Sequence, residues 1–175
     1  MGQYVADGAQ TIIQDEQLGT GHALSVVLSD KKFLLKKYEY VLVIPGDVPL
    51  IEESTLLQLV DSVKDSKAAI GFVVSNVSDP FGYGRVILDD AKKVIRIVEE
   101  KEASEDERKI NLINSGIYCF RYDFITTNID QLQNRNQQNE FYLTDLIELG
   151  AQKKEKIIVE ESSEVSIMGI NSVSY

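Results

Sequence analysis

The sequence predicts an α/β fold whose sheet is mixed, mostly parallel, and interrupted by one hairpin excursion. Three observations lead there. Tyr40-Val41-Leu42-Val43-Ile44 is an apolar, β-branched run that stops abruptly at Pro45-Gly46-Asp47. Such a run, bounded by turn residues, reads as a strand buried on both faces of a parallel sheet. Further strand-like runs alternate with helical patterns, the arrangement that layers helices on a sheet. Val86-Ile87-Leu88, a turn at Asp89-Asp90 and Val94–Val98 then read as a hairpin, the antiparallel insertion. Ligands of open α/β sheets bind beyond the carboxyl ends of strands. Asp47, an acid just past such an end, is therefore the first candidate site residue.

Each element has its own local signal. Thr11–Gln14 reads as a short strand, followed by the Gly-containing stretch Gln17-Leu18-Gly19-Thr20-Gly21 and a helix through Ala23–Leu28. Strand, Gly-containing loop and helix can aim backbone N–H groups at a ligand. The spacing is neither a P-loop nor a full dinucleotide fingerprint, so a plain βα turn is the simpler reading. Leu56, Leu57, Val60 and Val63 recur at helical spacing after Glu53-Ser54, which supply the cap. Ala68–Val77 is a second apolar β run. Asp79-Pro80-Phe81-Gly82-Tyr83-Gly84-Arg85 is a loop with glycines on both sides of an aromatic. Ser104–Lys109 reads as a short charged helix with a solvated face. Ile113–Phe120 is a strand kinked at Asn114-Ser115-Gly116. Tyr122–Leu132 reads as a helix, and Tyr142–Ile147 opens another with Thr144 as its cap. Lys156–Val159 and Ser166–Ile170 are final short strands.

The 175 residues are expected to form one domain, residues 1–175. A formal net charge of −10 argues against a nucleic-acid binder, which needs a basic face. It leaves room for a phosphate-bearing ligand, because one local site can hold Mg²⁺ inside an acidic protein. The single Cys119 has no internal disulfide partner, sits in an apolar run and reads as core. The N-terminus shows no signal-peptide pattern and no run approaches transmembrane length, so no membrane partner and a cytoplasmic location are expected.

Several stretches together resemble the uridylyltransferase (pyrophosphorylase) domains of the bacterial bifunctional GlmU enzymes. They are Gln14–Ala23, Gly46–Ile51, Asp79–Arg85, Ile97–Lys101, Ile110–Tyr118, Glu140–Asp145 and Gly169–Asn171, in that order. The resemblance implies a nucleotidyltransferase (Rossmann-like) fold. It also implies formation of UDP-N-acetylglucosamine and pyrophosphate from UTP and N-acetylglucosamine-1-phosphate, for cell-envelope (peptidoglycan) precursor synthesis. The sugar-1-phosphate attacks the α-phosphorus of UTP in line. Such chemistry asks for positioning and charge neutralisation more than proton transfer.

By the same resemblance, Gln14, Gly19 and Thr20 would recognise the uracil base. Gly46-Asp47 would stand at the substrate phosphates. Asp47 and Asn171 would hold Mg²⁺, a hard cation that takes oxygen ligands, and Asp47 is the expected catalytic residue. Gly84, Glu99 and Asn114 would bind the sugar, with Tyr142 and Thr144 lining its pocket. His22, the only histidine, is read as structural.

Two departures from the family qualify these expectations. The N-terminal Leu-x-x-Gly-x-Gly-Thr-x-Met loop and the lysine that follows it are not in this sequence, nor is the first βα unit. The chain is thus expected to be incomplete for catalysis, since one oxyanion donor alone is worth roughly 10²–10³ in rate. An unpaired strand edge or a hole is expected where the first strand would sit. No hexapeptide-repeat acetyltransferase domain follows, so trimerisation through it is not expected. Pro45 stands where relatives can carry an aromatic residue. The alternative readings are an inactive nucleotide-sugar-binding domain, the C-terminal half of a split enzyme completed by an N-terminal fragment, or a relative that transfers another sugar or nucleotide.

Overall fold

The computed structural model describes residues 9–34 and 38–167. Two helices come first, α1 (Thr20–Ser29) and α2 (Lys31–Leu34). Strand β1 (Tyr40–Val43), helix α3 (Glu53–Ser66) and strand β2 (Ile70–Asn76) then form a β–α–β unit. The hairpin follows as β3 (Arg85–Leu88) and β4 (Val94–Val98). Beyond a 3-10 turn at Glu107–Lys109 comes the long strand β5 (Leu112–Arg121). It runs straight into α4 (Tyr122–Asn128) and a second 3-10 turn, Ile129–Gln131. Helix α5 (Asp145–Gln152), strand β6 (Ile157–Glu161) and helix α6 (Glu164–Ile167) complete the described elements. None of the described helices is long and apolar enough to cross a membrane.

The α/β architecture follows the sequence, but the direction of the strands does not. The sheet has the order β4-β3-β5-β2-β6, with β1 also paired to β5. β5 runs antiparallel to β1, β2 and β3, and β3 runs antiparallel to β4. Only β2 and β6 pair in parallel. The sheet is mixed and mostly antiparallel among the described strands, where mostly parallel was expected. The physical reason is an insertion. β1 and β2 do point the same way, as a β–α–β crossover requires. β5 lies between them, at Val43↔Tyr118 on one side and Phe72↔Tyr118 on the other, and turns each direct contact into an antiparallel one.

The same insertion decides which strands are buried. β2 and β5 lie inside the sheet, and both faces of each are covered. Ile70, Phe72, Val74, Tyr118 and Phe120 join Leu24, Phe124, Leu146 and Ile147 in one core cluster. Val73, Ile113, Ile117 and Cys119 join Leu59 and Val63 of α3 in another. Cys119 is core, as expected, and burial pushes its thiol up to about 11. β1 was expected to be buried on both faces, yet Leu42 and Ile44 are 37% and 42% exposed. Among the described residues its second edge pairs with no strand, so the apolar run that signalled a strand did not signal an interior one.

Three smaller differences are local. Thr11–Gln14 forms no strand. Ser166 and Ile167 lie in α6 rather than in a strand, and residues 168–170 fall outside the described residues. Within Ser104–Lys109 only Glu107–Lys109 closes a 3-10 turn, because Ser104 and Glu107 bond to each other's backbone or side chain and hold the entry as a capping loop.

Candidate active site

The kink expected at Asn114-Ser115-Gly116 is a β-bulge, and the site is built around it. Tyr118 opposes Phe72 and Asn114 opposes Val74, so β5 carries extra residues between these pairs. Gly116 absorbs the distortion at φ +80°, a region that side chains rarely adopt. Ser115 Oγ donates to Val73 O at 2.8 Å and accepts from Ile117 N at 3.2 Å, which satisfies the bulge internally. The Pro45 ring packs on the open side of Gly116, where a Cβ would lie 2.9 Å from Pro45 Cγ. The turn after β1 is thereby seated on the bulge, and Asp47 and Asn114 come to share one cavity.

That cavity has a volume of about 800 Å³. Part of the wall is apolar, formed by Ala23, Leu24 and Val27 of α1, Phe33 of α2 and Val41–Ile44. The rest of the wall is polar. Gly82, Tyr83 and Gly84 come from the loop before β3, Glu99 from the end of β4, Asn114, Ser115 and Tyr118 from β5, and Thr144 from the start of α5. Thr20 and Asp47 stand on the lining as well.

Glu99 is the most perturbed group of this wall that sequence reading nominated. Burial pushes its carboxyl above the usual range, the Thr144 hydroxyl works the other way, and Glu140 adds to the rise. Thr144 Oγ1 donates to Glu99 Oε1 at 2.9 Å. Gly84 approaches closely, since a Cβ there would meet Ile97 Cγ2 at 2.9 Å and Glu99 Oε2 at 3.4 Å. Gly84 O also accepts from Asn114 N at 2.9 Å, tying the loop to the bulge. Asn114 Nδ2 donates to Tyr118 Oη at 2.6 Å and its Oδ1 accepts from Gly116 N at 3.2 Å.

Behind this wall stands an ion-paired brace. Arg85 is 1% exposed, and one guanidinium nitrogen lies 2.6 Å from Glu100 Oε2. The same oxygen accepts from Gly82 N at 3.1 Å, and Arg85 also donates to the Tyr83 carbonyl. Neighbouring carboxylates thus divide the work: Glu99 lines the cavity while Glu100 holds the loop that forms its wall.

The residues named from the sequence separate into two groups. Thr20, Asp47, Gly84, Glu99, Asn114 and Thr144 line the cavity together. Gln14, Gly19, Gly46 and Tyr142 do not. Gln14 Nε2 bonds to Gly19 O at 3.2 Å and lies 2.9 Å from His22 Nδ1, so its amide holds the loop and His22 is part of that scaffold. Gly19 has φ +101°, and a Cβ would strike Phe141 O at 2.7 Å. Phe141 N and O bond in turn to Leu18 O and Gly21 N, at 2.7 and 2.8 Å. The Leu143 amide donates to Thr20 Oγ1 at 3.0 Å. The Gln14–Ala23 and Glu140–Asp145 motifs are therefore one structural unit. Tyr142 Oη accepts from Gln138 Nε2 at 2.7 Å. Asn171 lies outside the described residues.

Sequence reading missed Tyr118, Tyr83 and Phe33 as cavity-lining residues. Tyr118 reads as one more apolar position of a buried strand. It does keep a core position, and it also stands on the cavity lining beside Asn114.

For a cation, Asp47 is the exposed carboxylate on the cavity lining. No cluster of three or more His, Cys, Asp or Glu side chains suited to a metal exists among the described residues. One carboxylate fits an ion such as Mg²⁺, which takes most of its ligands from water and phosphate oxygens.

Comparison with known proteins places the chain in a family. Residues 4–163 match the family model for nucleotidyl transferases. The chain belongs to the nucleotidyl transferase family. Over 172 residues it is 39% identical to the bifunctional protein GlmU of Desulfotalea psychrophila, covering 96% of this chain and 49% of that protein. Over 162 residues it is 41% identical to the bifunctional protein GlmU of Caldicellulosiruptor saccharolyticus, covering 91% and 34%. The chain thus spans half or less of the length of these relatives, and the resemblance read from its motifs is found across nearly all of it. Among solved structures, a UDP-glucose pyrophosphorylase complexed with UDP-glucose superposes with a TM-score of 0.64 at 18% identity, covering 83% of this chain and 55% of that one. A nucleoside-diphosphate-sugar pyrophosphorylase from Vibrio cholerae gives 0.61 at 16%, covering 87% and 60%. At such identities the likeness is one of fold.

Proposed function

We propose that this nucleotidyl transferase chain carries the uridylyl-transfer site of an enzyme that joins UTP and N-acetylglucosamine-1-phosphate to give UDP-N-acetylglucosamine and pyrophosphate. The proposal includes a place in cell-envelope precursor synthesis in the cytoplasm. The observation that carries it is the convergence of Thr20, Asp47, Gly84, Glu99 and Asn114, nominated from dispersed motifs, on one cavity. The identity of about 40% to bifunctional GlmU proteins supports the choice of substrates.

In this reading Glu99, Asn114 and the Gly84 backbone take the sugar, and Thr20 lies toward the base. Asp47, with Asn171, would hold Mg²⁺, which supplies charge neutralisation at the phosphates. The residues of the cavity position the two substrates for in-line displacement. The half-buried seat of Glu99 suits a carboxylate that accepts hydrogen bonds from sugar hydroxyls, because desolvation strengthens such bonds.

One observation favours a second reading, a nucleotide-sugar-binding domain without turnover of its own. Among the described residues no lysine or arginine lines the cavity. A single pair of measurements separates the two. Titration of the purified chain with UDP-N-acetylglucosamine in Mg²⁺ is expected to show binding that weakens with EDTA. Pyrophosphate release from UTP and N-acetylglucosamine-1-phosphate is expected to be several orders of magnitude slower than in a domain with a complete set of phosphate donors. Binding without any release supports the second reading. Absence of binding, or equal binding of UDP-glucose and UDP-N-acetylglucosamine, rejects the substrate assignment.

A further inference from the structure

Tyr118 stands in the cavity with a hydrogen-bonding capacity that its protein partners leave unused. Its ring is 3% exposed, stacked on Phe120 with centroids 5.4 Å apart and tilted against Phe72 at 6.3 Å. The hydroxyl therefore has a fixed position. Its bonding follows from its neighbour. The Gly116 amide can only donate, and it points at Asn114 Oδ1 from 3.2 Å. This fixes the Asn114 amide with Nδ2 toward Tyr118, 2.6 Å from the phenol oxygen. The phenol oxygen must then accept, and its own proton is left for something else. Among the described residues no acceptor takes it. Burial, with the Glu99 charge next, holds the phenol well above its usual range, so the O–H donor persists at neutral pH.

We propose that Tyr118 is a specificity-determining residue of this site, donating its hydroxyl proton to an oxygen of the sugar moiety and fixing the Asn114 amide beside it. The inference rests on the nucleotide-sugar reading given above and adds a sugar contact to it. Its physical content is pre-organisation. Aromatic packing and the bulge pay the entropic cost of placing the hydroxyl before a ligand arrives. A site with a committed donor discriminates against ligands that offer no acceptor, because the donor is then left unpaired.

The test is Tyr118→Phe, which keeps the ring and its packing and deletes only the hydroxyl. Wild type and variant are titrated calorimetrically with UDP-N-acetylglucosamine and with UDP, and their thermal melting is compared. A loss of about fivefold to tenfold in affinity for UDP-N-acetylglucosamine, with UDP affinity unchanged, is the expected result. Unchanged affinity for both ligands overturns the sugar contact. Equal losses for both overturn it too, since they mark a general effect on the cavity. If the wild type binds UDP but not UDP-N-acetylglucosamine, the nucleotide-sugar reading itself falls, and this inference with it. A Tyr118→Phe failure against a binding wild type leaves that reading standing.

Discussion

Thr144 occupies the N-cap position of α5 yet makes no side-chain cap bond; its hydroxyl goes instead to Glu99 Oε1, 2.9 Å away. A threonine in this place ordinarily satisfies a backbone N–H of the first helical turn. Here it serves the buried carboxylate. Thr144→Val keeps the shape and removes the donor. The charged form of Glu99 loses most, so the variant is expected to be less stable by about 1–2 kcal/mol at pH 7.5 and by less at pH 5. Urea unfolding at the two pH values checks this, and an equal loss at both would show that the bond does not favour the carboxylate.

Asp145 follows directly, and its carboxyl is pushed up to about 6 by burial first, then by Glu148 and Glu99. The unfolded chain therefore releases this proton at lower pH than the folded one does. The contribution of Asp145 to stability falls as pH rises from its ordinary value of 3.8 to about 6, and then levels off. Asp145→Asn removes that fall. The variant is expected to gain on the wild type across this window and to keep a lead of about 1 kcal/mol at pH 7, after allowance for partial exposure. A difference between the two proteins that does not change with pH would contradict the assignment.

The brace behind the cavity is expected to matter for folding more than any exposed charge. Arg85 is almost fully buried and paired to Glu100, which also takes the Gly82 amide. Glu100→Ala leaves a buried guanidinium without its partner, at a cost of about 3 kcal/mol. Lys109→Ala, which breaks the exposed pair with Asp106, is expected to cost less than about 0.5 kcal/mol. Comparable losses in chemical denaturation would contradict the contrast.

Gly19 and Gly46 make a second matched pair. At Gly19 the positive φ and the 2.7 Å approach of Phe141 O leave no room for a methyl group. Gly19→Ala is expected to cost about 2 kcal/mol or more. At Gly46 a Cβ meets nothing within 4 Å, so Gly46→Ala is expected to melt within a degree or two of the wild type. Any loss of ligand affinity in Gly46→Ala then reports on the site rather than on the fold.

Much of the cavity lining is legible in the sequence. Asp47 stands out because an acid directly after an apolar strand has no packing role. Glu99 and Asn114 stand out by resemblance, and the fold brings both to the same cavity. Gln14 and Gly19 were legible as a motif, but not as a scaffold, because their partners His22 and Phe141 are chosen by folding. Tyr118 is not legible as a lining residue, because an aromatic on a buried strand reads as core, and the tertiary fold places it in the core and on the cavity lining at once.

What the sequence determined by itself was local: helices where apolar residues recur at helical spacing, a hairpin where two strands flank an acidic turn, and strand runs ended by Pro-Gly-Asp or broken by glycine. These depend on neighbours in the chain, and they came out largely as read. What only the tertiary structure decided was which strands became neighbours. β5 enters between β1 and β2, and that one placement makes the sheet mostly antiparallel, buries β2 on both faces and leaves Leu42 and Ile44 of the β1 segment exposed. Strand pairing is a choice among distant partners, settled by the summed burial of whole faces, and no local pattern carries that sum.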